Sequence, residues 1–369
     1  MTHGRDGVER SGAPTPAPTA KRPLRTRIAF AVAVWALGAV AIEVVLRVCG
    51  FAPLPRATLA ERYDKFRPDD DLTWSLAPGW TGFELNDVPV RTNTFGCRGP
   101  EPQAPRAPDV PRLLFLGDSV TYGHLLPEDA TIPNRLASAL ATMHGTPAEV
   151  VNAGVPGYST FQEAASFRRL QPQLAPDIVL LGFCLNDVTE RYESMAAWGG
   201  SRFFMMNVDT TAGMGPVARL WHATAIRNAT WAFLRAAGTR GEGVRLSQLW
   251  SEPDAAHVRR AWDTVFGEID SLADDVRAAR ARFAVVIFPC ESQCSDAASP
   301  RAPQDALLAH LQERGIPALD LLPPLLARRA ESRSLFLDAT HFTPHGAQVV
   351  AAEIARFVDA NGLAVPKTR

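Results

Sequence analysis

Lysine is scarce in this chain of 369 residues: it occurs only at positions 21, 65 and 367, and arginine supplies nearly all the positive charge. The formal net charge is −1. Nucleic-acid-binding surfaces depend on clustered basic residues, so this charge balance gives no reason to expect a nucleic-acid partner. Internal repeats are also missing. Hydrophobic residues make up 46% of the chain and charged residues 21%, which is typical of a globular protein.

Cysteine is sparse as well, with five residues in the chain. Cys290 and Cys294 stand four positions apart in CESQC and could close a small disulfide loop in an oxidising compartment. A metal site is the competing interpretation, but no second Cys or His pair at ligand spacing supports it. We expect Cys49, Cys97 and Cys184 to be small buried side chains. No metal and no other cofactor is predicted.

One long apolar run stands near the N-terminus. Residues 1–27 are rich in Pro, Thr, Gly and Arg and are predicted to form a disordered basic tail. The run IAFAVAVWALGAVAIEVVL (28–46) follows with a single charge, Glu43. About 20 apolar residues span a bilayer, so we predict a membrane anchor over 28–49. Arg47 lies one helical turn after Glu43 and could pair with it.

The basic residues that flank this run favour a cytoplasmic N-terminus. The chain after the run would then lie outside the cytoplasm, in the periplasm or at the cell surface. Two alternatives stay open. Ala39-Val40-Ala41 resembles a signal-peptidase site, so the run could be a cleaved signal peptide. It could also be a buried core helix, although that interpretation explains the basic flank poorly.

The rest of the chain divides by composition. Residues 50–110 combine short candidate strands, LTWSLAP and VPVRTNTFG, with a proline-dense linker that begins EPQAPRAP. We predict the main domain over 111–362. Within it, the span of about 190–250 is long and irregular, and we interpret it as an insertion that serves as a lid or substrate-binding element, or as a poorly ordered excursion.

Strand-like and helix-like segments alternate along the main domain. The apolar runs are LLFLG, AEVVNAG, DIVLLGF, FAVVIFP and IPALDLL, and amphipathic stretches such as FQEAASFRRLQPQL separate them. Continuous apolar strands that alternate with helices indicate a parallel sheet covered on both faces. The fold class is therefore α/β, a three-layer α/β/α sandwich.

The stretch RLLFLGDSVTYG (112–123) places Ser119 directly after a buried strand. Open α/β sheets bind ligands at the carboxyl ends of their strands, so this serine lies where chemistry is expected. A simpler interpretation is that Asp118 and Ser119 only cap the helix that follows.

Three further segments contain polar residues or glycines at strand ends. VVNAGVPGYST ends a strand in a turn with Gly154 and Gly157, whose backbone can approach a ligand closely. IVLLGFCLNDVTE ends the next strand near Asn186, and LFLDATHFTPHG places Asp338 three residues before His341.

Together these residues supply the parts of a serine hydrolase. Ser119 would be the nucleophile and His341 the base that removes its proton. Asp338 would fix the tautomer of His341 and stabilise its charged form. The N–H groups of Ser119 and Gly157 and the side-chain amide of Asn186 would form an oxyanion hole.

These blocks resemble the SGNH, or GDSL-type, hydrolase family, over roughly residues 112–360. The matching segments, in family order, are GDSVTYG, NAGVPGYS, LND and DATH. The resemblance implies a flavodoxin-like α/β/α sandwich, ester hydrolysis without a metal, and the residue roles given above. RTNTFGCRG and IEVVLRVCGF are also similar to membrane-tethered bacterial members.

One residue departs from the family pattern. The third block often begins with glycine, where this chain has Cys184. A larger side chain there could narrow or reorient the loop that holds Asn186. His345 follows His341 by four residues, which suggests a metal pair, but Pro344 lies between them at a predicted helix start. We interpret His345 as a residue of that helix start.

The sequence thus predicts an extracytoplasmic, membrane-anchored serine esterase that acts on a small-molecule, glycan or lipid acyl ester through an acyl-enzyme. An O-acyltransferase or deacetylase that acts on surface polysaccharide would use the same residues. A catalytically silent binding module on the same fold is the alternative outside enzymology.

Overall fold

The computed structural model describes residues 23–51, 65–84, 87–107, 109–190, 244–296 and 300–363, together with residues 216, 224 and 226. The described residues before 52 and the three isolated ones belong to one compact unit, and all the others belong to a second. Residues 1–22 of the predicted tail and most of the predicted insertion lie outside the described residues.

The first unit contains the apolar helix α1, Leu24–Leu46, which continues as a π-helical turn over Arg47–Phe51. The helix begins four residues before the predicted anchor. None of its residues is buried, so the interpretation as a core helix is wrong. Its span, Leu24–Cys49, has 26 residues and contains an 18-residue window with a mean hydropathy of 2.4, which is long and apolar enough to cross a membrane. By length and composition it could be an anchor or a signal sequence.

Two side chains near the end of this helix test the sequence analysis directly. The predicted pairing is confirmed, because Arg47 Nε donates to Glu43 Oε1 at 2.7 Å. The expectation for Cys49 is wrong: it is exposed, in the π-helical turn that follows α1. Cys97 and Cys184 are buried as predicted.

The second unit is built on a five-stranded parallel sheet. Its spatial order is β6-β5-β7-β8-β9, so the second of the five strands in the chain lies at one edge and the first lies inside. This is the flavodoxin-like order. The chain passes from β5 to the edge strand β6 and then crosses back to β7 on the other side of β5, so the topological switch point lies between β5 and β7. The strands are β5 (Arg112–Gly117), β6 (Glu149–Gly154), β7 (Ile178–Cys184), β8 (Arg282–Phe288) and β9 (Ala318–Asp320).

Alternation along the strands sends side chains to two separate cores. In β5, Leu114 and Leu116 belong to one hydrophobic cluster, and Leu113 and Phe115 belong to the other. Residues of α4, α6 and α8 fill the first cluster, and residues of α3, α9 and α11 fill the second. The predicted three-layer α/β/α sandwich is confirmed. The helices are α2 (Ser119–Tyr122), α3 (Ile132–His144), α4 (Thr160–Leu174), α5 (Gln248–Ser251), α6 (Ala256–Ala278), α7 (Glu291–Ser295), α8 (Ala302–Glu313), α9 (Leu322–Leu326), α10 (Ser332–Leu335) and α11 (Pro344–Ala360), with 3₁₀ turns over Glu128–Ala130, Leu185–Val188 and Arg329–Glu331.

Two antiparallel hairpins precede the sheet in the chain. Both predicted strands of this segment are present, as β2 and β4. A third hydrophobic cluster joins the hairpins to the sheet domain through Trp74, Tyr122 and Tyr158. The hairpins therefore pack beside the loops that follow β5 and β6. The hairpin strands are β1 (Phe66–Asp69), β2 (Thr73–Leu76), β3 (Thr81–Phe83) and β4 (Pro89–Arg91).

Gly154, at the end of β6, gives a direct test of this packing. A methyl group at this position would collide with the backbone nitrogen of Tyr122 in α2. Gly154→Ala is therefore expected to lower the free energy of unfolding by about 1–3 kcal/mol, because overpacking displaces the backbone of α2. Gly267→Ala in α6 is the matched control, since nothing lies within 4 Å of its added methyl group. Chemical denaturation of both variants measures the difference, and an equally stable Gly154→Ala would contradict this packing.

Candidate active site

Ser119 lies at the switch point of the sheet, at the first position of α2. Asp118 caps this short helix, because its Oδ1 accepts a hydrogen bond of 2.8 Å from the backbone N–H of Val120. Asp118 is therefore a helix cap, as the simpler interpretation of this stretch predicted. The Ser119 side chain has a different partner, His341.

Two glycines allow α2 to lie directly against the sheet. A Cβ on Gly117, in β5, or on Gly182, in β7, would collide with the Oγ1 atom of Thr121. Gly117 also has a φ of 156°, which side-chain-bearing residues rarely adopt. The two glycines therefore leave room for the Thr121 side chain against the sheet. This packing fixes the position of α2, and with it the position of Ser119.

Three of the predicted residues form a continuous hydrogen-bonded chain. Ser119 Oγ lies 2.8 Å from His341 Nε2, and His341 Nδ1 lies 2.7 Å from Asp338 Oδ2. With the proton on Nδ1, His341 donates to Asp338 and accepts from the hydroxyl of Ser119. This arrangement can remove a proton from Ser119.

Asp338 is held by its own turn. Its Oδ1 accepts hydrogen bonds of 2.9 Å from the backbone N–H groups of both Thr340 and His341. Burial acts to raise the pKa of Asp338, but the hydrogen bonds from His341 and Thr340 outweigh it and hold that pKa well below its usual range. The carboxylate is therefore ionised at neutral pH and oriented toward the imidazole.

Asn186 follows β7 and lies beside the Ser119 turn. Its Nδ2 donates to Asp118 Oδ2 at 3.3 Å. Cys184, the departure from the family pattern, donates from Sγ to the other oxygen of the same carboxylate, also at 3.3 Å. The larger side chain at 184 thus shares an acceptor with Asn186 and does not separate it from the Ser119 turn.

Gly157 lies in the turn after β6, with a φ of 82° that favours glycine. The hairpin segment holds this turn: Trp74 Nε1 donates to the carbonyl of Pro156 at 3.2 Å, and Tyr158 Oη donates to the carbonyl of Trp74 at 2.6 Å. Gly154 pairs with Gly117 in the sheet, so the turns that carry Gly157 and Ser119 leave neighbouring strands at the same edge.

Comparison with known proteins agrees with this geometry. The model of the GDSL-like lipase/acylhydrolase family matches residues 115–349, which includes Ser119, Asn186 and His341. The chain belongs to this family. Members of this family are enzymes that hydrolyse ester bonds. The match therefore confirms both the family and the enzyme class that the four motifs predicted.

Individual relatives of this GDSL-like chain are distant. An arylesterase of Vibrio mimicus is 36% identical over 76 residues, a match that covers 21% of this chain and only 38% of the arylesterase. The crystal structure of an acetyl xylan esterase, AlAXEase, is 14% identical, covering 67% of this chain and 99% of that one, with a TM-score of 0.41. A lipase/acylhydrolase from Enterococcus faecalis is also 14% identical, covering 70% of this chain and 100% of that one, with a TM-score of 0.40. Likeness at this level does not identify a substrate.

Sequence reasoning missed three polar residues near the GDSL serine, namely Lys65, Glu84 and His124. The ring centroid of His124 lies 4.9 Å from that of His341, and Glu84 and Lys65 are buried behind it. Lys65 is one of three lysines in the chain, and this rarity was the one available signal. Glu84 and His124 stand in no motif, since their contacts arise from the docking of the hairpins.

The metal interpretation receives no support from the described part of the chain, where no group of three or more His, Cys, Asp or Glu residues is arranged to hold an ion. His345 lies in the first turn of α11, with its Nε2 atom 3.4 Å from Glu331 Oε2. Cys290 and Cys294 are free thiols, and burial raises their pKa values to about 11 and about 12.

Glu163 and Asp187 carry two buried carboxyl groups that interact with each other, and Asp187 directly follows Asn186 in the chain. Both side-chain oxygens of Glu163 lack a hydrogen-bond partner within the described residues, and Asp187 accepts one from Thr160 Oγ1 at 3.3 Å. Burial, reinforced by the neighbouring Asp118 carboxyl, raises the pKa of both groups well above the usual range. The folded protein therefore keeps protons that the unfolded chain releases above about pH 4.3.

This difference in proton binding predicts that stability falls as pH rises from about 4.3 through the raised pKa of the folded state. Glu163→Gln removes one of the two carboxyl groups. We expect its free energy of unfolding to exceed that of the wild type at pH 8 by about 1–3 kcal/mol, because Gln does not titrate and so removes the proton difference between the folded and unfolded states. The gain should shrink toward pH 5. Denaturation curves at both values test this, with the exposed Glu313→Gln as the control, and parallel pH profiles of the wild type and Glu163→Gln would contradict it.

Proposed function

We propose that this chain is a serine esterase that hydrolyses carboxylic O-acyl esters through an acyl-enzyme. The observation that carries the proposal is the unbroken chain of hydrogen bonds from Ser119 through His341 to Asp338. A binding module has no need of a serine in contact with an imidazole and a carboxylate, so the silent-module alternative is disfavoured.

The reaction uses each member of this chain in turn. His341 Nε2 takes the proton of Ser119 as Oγ attacks the ester carbonyl, and Asp338 stabilises the imidazolium that forms. His341 then protonates the departing alcohol, which leaves an acyl group on Ser119. Water then attacks the acyl carbon as His341 takes one of its protons. The bond between Ser119 Oγ and the acyl carbon breaks as His341 returns the proton to Oγ, which releases the carboxylic acid and restores the free enzyme.

Charge develops on the carbonyl oxygen during both attacks. The backbone N–H groups of Ser119 and Gly157 and the Nδ2 amide of Asn186 serve as its donors in this proposal. Support comes from their common location at the carboxyl ends of three adjacent strands, β5, β6 and β7. Asp118 orients the Asn186 amide through the hydrogen bond described above.

The proposal places the esterase domain outside the cytoplasm, tethered by α1. The length and hydropathy of α1 support the tether, and the basic residues before and within its first turn support the orientation. A tethered domain suits a small-molecule, glycan or lipid acyl ester at the cell envelope. Transfer of the acyl group to a polysaccharide hydroxyl would use the same residues, with a sugar in the place of water.

Hydrolysis of p-nitrophenyl acetate by the full chain in detergent tests the triad. Ser119→Ala and His341→Ala should each lower kcat by about 10⁴-fold or more, because members of a triad act as a unit. His345→Ala, an exposed histidine in the same segment, is the matched control and should retain wild-type activity. If the wild type is as inactive as Ser119→Ala, hydrolysis is ruled out, and an assay for acyl transfer to an added sugar becomes the next experiment.

The oxyanion donors need a separate variant. Asn186→Ala removes one donor and should lower kcat by about 10²–10³-fold, with a smaller effect on KM, because the interaction is strongest in the transition state. Asn361→Ala, at the exposed end of α11, is the control for loss of an amide. A change confined to KM would assign Asn186 to ground-state binding instead.

A further inference from the structure

A second histidine lies against the imidazole of the proposed triad. The rings of His124 and His341 are tilted by 55°, with centroids 4.9 Å apart. The backbone N–H of His124 donates to the carbonyl of Ser119 at 3.0 Å, so the two residues are held in one turn. His124 therefore has a fixed position relative to both Ser119 and His341.

The other side of the His124 ring meets a buried carboxylate. Its Nδ1 lies 3.3 Å from Glu84 Oε2, which also accepts the backbone N–H of Leu125 at 3.1 Å. Glu84 Oε1 accepts a hydrogen bond from Lys65 Nζ, and Lys65 in turn donates to Tyr122 Oη at 2.9 Å. Only 3% of each side chain of the Lys65–Glu84 pair is exposed.

Glu84 is ionised in this setting. Burial acts to raise its pKa, but the contacts with His124, Lys65 and Arg98 outweigh it and hold that pKa well below the usual range. A buried carboxylate with several partners is rigid, since each partner would leave an unpaired charge if it moved. Glu84 therefore fixes the orientation of the His124 ring.

Lys65 and Glu84 both precede residue 115, where the family match begins. They belong to the hairpin segment, which the sequence analysis placed between the membrane and the main domain. Through His124 this segment reaches the ring of His341. Asp338 holds the Nδ1 edge of His341 at 2.7 Å, and His124 adds a contact with the ring itself.

We propose that His124, held by Glu84, is a positioning residue of the site: its ring keeps His341 aligned with Ser119. This inference rests on the esterase function proposed above. Small errors in alignment are costly, because a misplacement of about 1 Å can lower a rate about 10²-fold.

The experiment compares His124→Ala with His124→Phe in the full chain, using p-nitrophenyl acetate and rates divided by the fraction of molecules that a fluorophosphonate labels. His124→Ala should lower kcat about 10-fold with KM within about twofold, because ring support is lost. His124→Phe keeps a ring and should recover most of kcat.

The control is His144→Ala, a histidine at the end of α3 whose nearest charged partner is Asp359. Loss of a residue that only stabilised the fold would lower the unfolding temperature without lowering kcat per labelled molecule. Wild-type kcat in both His124 variants would overturn this inference alone. A wild type with no Ser119-dependent turnover would overturn the proposed function, and this inference with it.

Discussion

The 2.8 Å contact between Ser119 Oγ and His341 Nε2 is the constraint on which the rest of the architecture depends. It joins residues 222 positions apart, one at the start of α2 and the other just before α11. A hydroxyl and an imidazole exchange a proton only within hydrogen-bonding distance. The sheet must therefore bring both segments to the same edge and hold them there.

The sheet meets this requirement by its order and by its small residues. Strand β5 lies between β6 and β7, so the turns that carry Gly157 and Asn186 leave the sheet on either side of Ser119. Glycines at 117, 154 and 182 let α2 approach the strands closely. On the other side, the turn of Asp338 supplies an ionised carboxylate that keeps one nitrogen of His341 occupied.

Much of this was predictable, because it depends on local patterns. Buried parallel strands read as continuous apolar runs, and all five were predicted from the sequence together with the two-sided covering of helices. Ser119, His341 and Asp338 stand in short motifs, and the structure brings them together. The oxyanion roles of Gly157 and Asn186 remain predictions, since only a bound transition-state analogue would show which atoms donate.

The remainder depends on contacts between segments that the chain does not place side by side. The Lys65–Glu84 pair and its reach to His124 exist only because the hairpins pack on α2. The exposure of Cys49, in the turn after α1, likewise has no signal in the composition of the chain. The pattern of strands and helices in a sequence predicts the layers of such a fold. Which charged side chains meet in the interior depends on how distant segments pack, so it is known only from the structure.

The most direct test of the central claim is mass spectrometry of the full chain after brief exposure to a fluorophosphonate, which forms a covalent adduct only with an activated serine. The account predicts a single adduct that maps to the peptide containing Ser119, and its loss in His341→Ala. No adduct, an adduct on another serine, or equal labelling of wild type and His341→Ala would contradict the proposal that His341 activates Ser119.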